Sequence, residues 1–174
     1  MQPQLYVIER AGPGRLATMA RPRGGEWLGE EMAGLAASGV TVLVSLLTDT
    51  EMTSLGLTGE DAAARGAGLE FLRLPTPDFH VPDHAATLAL ARELRARLAA
   101  GASVVVHCYG GVGRSSTVAA VVLVLDGVIP AAAWDRIAVA RGRPVPETVA
   151  QRAFVNGLAG RPGDGPAPGN GSAG

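Results

Sequence analysis

Apolar residues recur along this chain in two rhythms, and their alternation predicts its architecture. Val40 to Leu46 (VTVLVSL) and Ser103 to Val106 are apolar on both faces, the character of strands buried inside a parallel sheet. Leu69 to Leu74 is a further strand candidate. Leu5 to Ile8 reads as a short strand expected to pair with Arg15 to Ala20 across the turn Gly12-Pro13-Gly14. Between these runs the period lengthens to that of a helix. Glu26 to Ser38 is amphipathic and stops at Gly39, with Trp27, Leu28, Met32 and Leu35 as its core stripe. Thr58 or Gly59 caps a helix through Gly66, and Asp83 caps a long one to about Ala100 with Leu88, Ala91, Leu94 and Leu98 on one face.

The strand from Ser103 runs directly into HCYGGVGRSS and then into a helical run from Ser115 to Asp126. Two more helices are expected over Pro130 to Arg141 and roughly Pro146 to Ala159. Strands alternating with helices in this way predict an α/β fold: a central, mainly parallel sheet covered by helices on both sides. The domain is expected to occupy residues 1–159. The remaining stretch, GRPGDGPAPGNGSAG, has no large apolar residue and reads as a disordered tail.

Length and composition narrow the class without naming a function. A chain of 174 residues can bury a core without metals or disulfides, and 47% apolar with 4% aromatic residues fits a helix-rich globular domain. The net charge of −1 provides no footprint for nucleic acid or an anionic membrane. Val118 to Leu125, the longest apolar run, falls far short of the ~20 residues that span a bilayer, and MQPQLYVIERAGPGR lacks the pattern of a secretory signal. The single cysteine excludes an intramolecular disulfide and suits a reducing compartment, so a cytoplasmic location is expected.

That cysteine has telling neighbours. In VVVHCYGGVGRSS, Cys108 follows a buried strand, Gly110, Gly111 and Gly113 run through a tight loop, and Arg114 stands where the next helix begins. Glycines that adopt positive φ let successive backbone N–H groups, from Tyr109 through Val112 and Gly113, converge on one point. The helix start adds unpaired N–H donors and the positive end of its dipole. Such a nest suits a phosphate dianion and a thiolate alike; a helix N-terminus with a cationic neighbour lowers a cysteine's pKa from about 8.5 to roughly 3.5–7.5. Arg114, six positions after Cys108, can return its planar fork to the mouth of the loop and hold two phosphate oxygens. Ser115 can donate a hydrogen bond to the sulfur.

HCYGGVGR resembles the His-Cys-x5-Arg signature of the protein tyrosine and dual-specificity phosphatase superfamily. The order of elements resembles its small, dual-specificity-like bacterial and archaeal members, loosely from Arg15 to Leu158. It does not resemble the low-molecular-weight tyrosine phosphatases, whose cysteine loop lies at the start of the chain. Ser116 departs from the glycine usual after the Ser/Thr.

Asp78 in PTPDF sits on a loop after a strand expected to lie beside the cysteine strand; the resemblance implies a general acid on a corresponding loop, and Pro-Asp-Phe matches its pattern. Asp83 is the competitor, better placed as a helix cap. RGRPVPETVAQRAF resembles the later family segment in which Arg-Pro is followed by Thr and Gln; Gln151 there orients water or braces the loop. His107 is expected to hydrogen-bond to the loop from behind, and Tyr109 to lend its backbone to phosphate while its side chain packs. Arg10, Arg15, Arg21 and Arg23 read as surface charges, some of which can face the pocket.

The implied function is a metal- and cofactor-independent phosphatase acting through a phosphocysteine, with a phosphorylated protein or peptide, above all phosphotyrosine, as substrate. Phosphoserine/threonine, phosphoinositides and RNA 5′ ends remain alternatives, the phosphoinositide reading weakened by a loop without lysine or a second arginine. A pseudophosphatase that binds without turnover is a rival from another class. Arsenate reduction and sulfur transfer fit less well, the first commonly requiring further cysteines and the second generally lacking the x5-Arg spacing.

Overall fold

Ser103–His107 is buried at every position, and this strand takes the centre of the sheet. In the computed structural model, which describes residues 3–160, the strands are β1 (Tyr6–Ile8), β2 (Arg15–Met19), β3 (Val42–Ser45), β4 (Glu70–Arg73) and β5 (Ser103–His107), arranged β1-β2-β5-β3-β4. β1 pairs antiparallel with β2, and every other pairing is parallel. Residues 161–174, nearly all of the expected tail, lie outside the described residues.

The helices are α1 (Leu28–Ala37), α2 (Asp49–Ser54), α3 (Glu60–Gly66), α4 (His84–Ala99), α5 (Arg114–Leu125), α6 (Pro130–Arg141) and α7 (Val149–Asn156). Alternation along the strands divides the core in two. Leu16, Val44, Val104 and Val106 pack with α4 to α7, while Ala17, Leu43 and Val105 pack with α1, α2 and α3. α5 is buried continuously from Arg114 to Leu123, which is why its sequence is apolar all round.

Three expectations are corrected. Trp27 is 47% exposed, because the chain enters α1 through a 3-10 turn, Gly25–Trp27, and its ring lies under the Arg23 guanidinium instead of joining the core stripe. β4 does not lie beside the cysteine strand; β3 separates them. The segment after β3, where the hydrophobic pattern predicts no element, forms the short helix α2.

Because β3, β4 and β5 are parallel, the loops that follow them emerge at one edge. Leu46 N–H donates to the His107 carbonyl (3.0 Å), and Thr76 N–H to that of Leu46 (3.0 Å), so the loop after β4 is carried across the end of β3 toward the end of β5. Open α/β sheets commonly place their sites at such carboxyl ends. Among the described residues, no helix is long and apolar enough to cross a membrane.

Candidate active site

Cys108 ends the central strand with its Sγ 3.3 Å from the Ser115 hydroxyl. Arginines outside the loop hold its carbonyls. The Tyr109 carbonyl accepts from the Arg21 backbone N–H (3.2 Å) and Nη1 (3.3 Å), and those of Gly110 and Gly111 accept from Arg141 at 3.1 Å each. In a trans peptide the next N–H points opposite to the carbonyl, so the N–H groups of residues 110 to 112 turn inward. No backbone carbonyl partners these N–H groups among the described residues, and Gly113, the N-cap of α5, supplies no capping side chain. The result is a concavity of free donors at a helix start, suited to an anion.

The glycines serve this loop differently from the expectation of positive φ at all three. Only Gly111 has it, at 69°, and a Cβ there would stand 2.6 Å from the Met19 backbone. Gly113 has φ −91° and is needed for space: a Cβ would meet Glu147 Oε2 at 2.3 Å and the Gln151 amide at 3.0 Å. Ser116 is wholly buried, its hydroxyl without a partner. Val112 is buried, whereas Tyr109, expected to pack, is 44% exposed with Arg21 4.0 Å above its ring.

Arg114 is completely buried, and most of its donors are committed. Nη1 and Nη2 donate to Glu51 Oε2 and Oε1 at 2.8 and 2.9 Å, and Nη1 also donates to the Thr76 carbonyl at 2.8 Å. Nη2 lies 3.1 Å from Asp78 Oδ1, while Nε, buried, has no partner among the described residues. Burial works against the guanidinium's charge, but Glu51, Cys108 and Asp78 outweigh it and hold the pKa above the ordinary value. Burial likewise pushes Glu51 up, and hydrogen bonds from Arg114 and Thr48 bring it net below the usual carboxylate range.

Glu51 was missed in the sequence, although a signal was present. Thr48-x-x-Glu51 is a capping box: Thr48 N–H donates to Glu51 Oε2 (2.9 Å), and Glu51 N–H to Thr48 Oγ1 (3.3 Å). The cap that starts α2 also aims a carboxylate at Arg114.

Asp78 is brought to this cluster with its side chain 40% exposed, and its Oδ1 accepts from Phe79 N–H at 3.0 Å. Phe79 takes a left-handed φ of 61°, rare for a bulky residue, and stands 60% exposed beside the carboxylate. Asp83 is occupied elsewhere, capping α4 through Ala86 N–H at 2.8 Å.

Gln151 is fully buried and braces the loops. Its Oε1 accepts from the N–H groups of Glu147 and Thr148 (3.2 Å each), and its Nε2 donates to the His80 carbonyl (3.3 Å), two residues beyond Asp78. Glu147, also unforeseen, lays its carboxylate against Gly113. Burial, reinforced by the charge of Asp78, raises its pKa against the opposing pull of Arg114 and Arg143. Behind the loop, His107 places Nδ1 3.4 Å from the Cys108 carbonyl.

A thiol, a buried arginine and a carboxylate thus stand around one concavity of backbone donors. A family model described as PTP-SAK, a Swiss Army Knife protein DSP-PTPase phosphatase domain, matches residues 7–153. The chain belongs to this DSP-PTPase family. Among relatives, cyclin-dependent kinase inhibitor 3 of Sus scrofa is 36% identical over 84 residues, covering 47% of this chain and 40% of that protein. Its Rattus norvegicus counterpart is 33% identical over the same length. The chain thus spans about two-fifths of the curated relatives it matches.

Solved structures that resemble the chain cover far more of it. Kinase-associated phosphatase, with serine substituted for its catalytic-site cysteine, superposes with a TM-score of 0.82 at 21% identity, covering 92% of this chain and 98% of the other. Tk-PTP in its active form gives 0.68 at 27% identity, covering 88% and 95%. PTPMT1 in complex with PI(5)P gives 0.69 at 23% identity, covering 82% and 88%.

Proposed function

We propose that this chain is a cysteine-dependent phosphatase that hydrolyses phosphate monoesters, with phosphotyrosine in proteins as its leading substrate class. The observation that carries the reading is Arg114: a buried guanidinium, clamped by Glu51 and Thr76, that keeps an unpaired Nε in the loop headed by Cys108. Buried donors are rarely left unsatisfied, and a phosphate oxygen would complete this one.

In the first step Cys108 Sγ attacks phosphorus, the bond to the leaving oxygen breaks, and Asp78 protonates that oxygen. The inward N–H groups and Arg114 stabilise the equatorial oxygens as charge develops on them. In the second step water attacks the phosphocysteine, Asp78, now ionised, takes its proton, and the S–P bond breaks. Ser115, 3.3 Å from the sulfur, donates to the departing thiolate. Gln151 holds the Asp78 loop in place through His80.

Phosphotyrosine is favoured by two exposed aromatic side chains, Phe79 next to Asp78 and Tyr109 next to Cys108, which offer apolar faces to an aromatic leaving group. Relatives named as a kinase inhibitor and a kinase-associated phosphatase support a protein partner. PTPMT1, solved with PI(5)P, supports a phosphoinositide as the second reading.

The test is hydrolysis of p-nitrophenyl phosphate, in EDTA, by wild type, Cys108→Ser and Asp78→Asn. Turnover abolished in Cys108→Ser and strongly reduced in Asp78→Asn is expected; undiminished turnover in Cys108→Ser would overturn the mechanism. Phosphopeptide binding without wild-type turnover would make the chain a pseudophosphatase. Phosphotyrosine and phosphoserine peptides, PI(5)P vesicles and 5′-phosphorylated RNA then rank the substrates.

A further inference from the structure

On the far side of the sheet from α5 lies a carboxylate that the proposed reaction does not use. Glu60 opens α3, and its side chain has no exposed surface. An ionised carboxylate in an apolar interior is strongly unfavourable unless something pairs with it. Among the described residues its partner is His107, whose Nε2 stands 2.8 Å from Oε1, an ion-pair distance; neither carboxylate oxygen nor Nε2 makes a hydrogen bond of good geometry.

His107 is equally buried and faces acceptors at both ends: Glu60 at Nε2 and, at 3.4 Å from Nδ1, the carbonyl of Cys108. A carbonyl only accepts, so Nδ1 must carry a hydrogen to satisfy it. A proton shared between Oε1 and Nε2 completes the arrangement, whichever of the two holds it. The neighbours of His107 in the sheet, Met19 and Ser45, are uncharged. Its charged contact is Glu60 from α3, and the loop it leads into begins at Cys108.

We infer that Glu60 is a positioning residue for the nucleophile: through His107 it fixes the imidazole tautomer whose Nδ1–H holds the Cys108 carbonyl at the strand-to-loop corner. The inference rests on the proposed cysteine chemistry and adds a residue to it. A carboxylate behind a histidine fixes ring orientation and tautomer by the same logic at metal sites. Two buried polar groups that an apolar pair could replace without loss of stability are retained here because they aim the sulfur.

The test compares Glu60→Leu with Glu60→Gln. Leucine fills the space but leaves the ring free to exchange tautomers; glutamine can still donate an amide N–H to Nε2 and preserve Nδ1–H. In Glu60→Leu, alkylation of Cys108 by iodoacetamide and kcat for p-nitrophenyl phosphate are expected to fall together by about tenfold or more, as when an outer carboxylate is removed from a ligating histidine. KM is expected to stay near wild type, while Tm falls in Glu60→Leu because Nε2 is left buried without a partner; Glu60→Gln lies between the two in rate. Adding Glu60→Leu to His107→Asn should cost nothing further.

Wild-type alkylation and kcat in Glu60→Leu would overturn the inference, as would losses as large in the His107→Asn background. Should neither variant fold, 15N NMR of the wild-type imidazoles decides: His107 with a hydrogen on Nε2 alone overturns it, and one on Nδ1 supports it. Cys108→Ser is the separate control. If it retains turnover, the phosphatase mechanism fails; if it is inactive while Glu60→Leu is unaffected, only the role of Glu60 fails.

Discussion

Glu51 grips Arg114 with both carboxylate oxygens, at 2.8 and 2.9 Å, and leaves the guanidinium's Nε as its unpaired nitrogen. The fork-to-fork contact sets the plane of the guanidinium as well as its charge, and only arginine has the donors to hold Glu51, Thr76 and a ligand together. Glu51 is itself fixed by the cap of α2, so a turn of helix far along the chain from the cysteine decides where that Nε points.

Replacing Glu51 with Gln leaves a buried guanidinium without its full counter-charge. Unfolding in urea is expected to show a loss of about 3 kcal/mol, the lower end for breaking a buried pair because Glu51 is 20% exposed. Turnover of p-nitrophenyl phosphate falls with it. The folded-state pKa of Glu51 is lowered, so its contribution is present above its unfolded pKa and is lost as pH falls through the folded value. The gap between wild type and Glu51→Gln should therefore shrink below about pH 4.

Gly111 and Gly113 differ in what opposes a side chain. At Gly111 the obstacle is the Met19 backbone together with a positive φ, and neither can yield cheaply. At Gly113 the nearest atom is the end of the Glu147 side chain. Kinetic assays of Gly111→Ala should show a loss that no nearby truncation repairs, whereas Gly113→Ala should regain part of its turnover when combined with Glu147→Ala.

Glu147 carries the opposite pH signature to Glu51. Its folded-state pKa is raised, chiefly by burial, so its ionised form is held against a penalty that appears as pH rises through that value. Thermal unfolding of Glu147→Gln beside wild type is expected to show the variant gaining relative stability as pH rises above about 4, the ordinary carboxylate pKa. A constant offset across that range would count against the assignment.

Gln151 ties residues 147 and 148 to His80 with a buried amide. Gln151→Ala strands those groups, and a loss of roughly 1–3 kcal/mol is expected from the unsatisfied N–H and carbonyl partners. Because His80 adjoins the acid loop, kcat should fall more than KM rises, a split that steady-state kinetics reads directly.

Much of this protein was legible locally. The α/β alternation, the buried strand from Ser103 to Val106 and the loop from Cys108 to Arg114 follow from residue type and period, which act over a few neighbours. Asp83 as a helix cap was legible for the same reason. Trp27 misled because helical spacing does not reveal that the α-helix begins only at Leu28, after a 3-10 entry.

By itself, the sequence determined the layered α/β fold, the glycine-built nest with its cysteine and arginine, and the family to which they belong. Tertiary structure alone decided the partners of those groups: Glu51 on Arg114, Glu60 behind His107, Glu147 against Gly113, and Asp78 carried across β3 to the guanidinium. Each joins segments distant along the chain. The physical reason is that strand order and burial determine which distant side chains meet, and neither is set by local spacing.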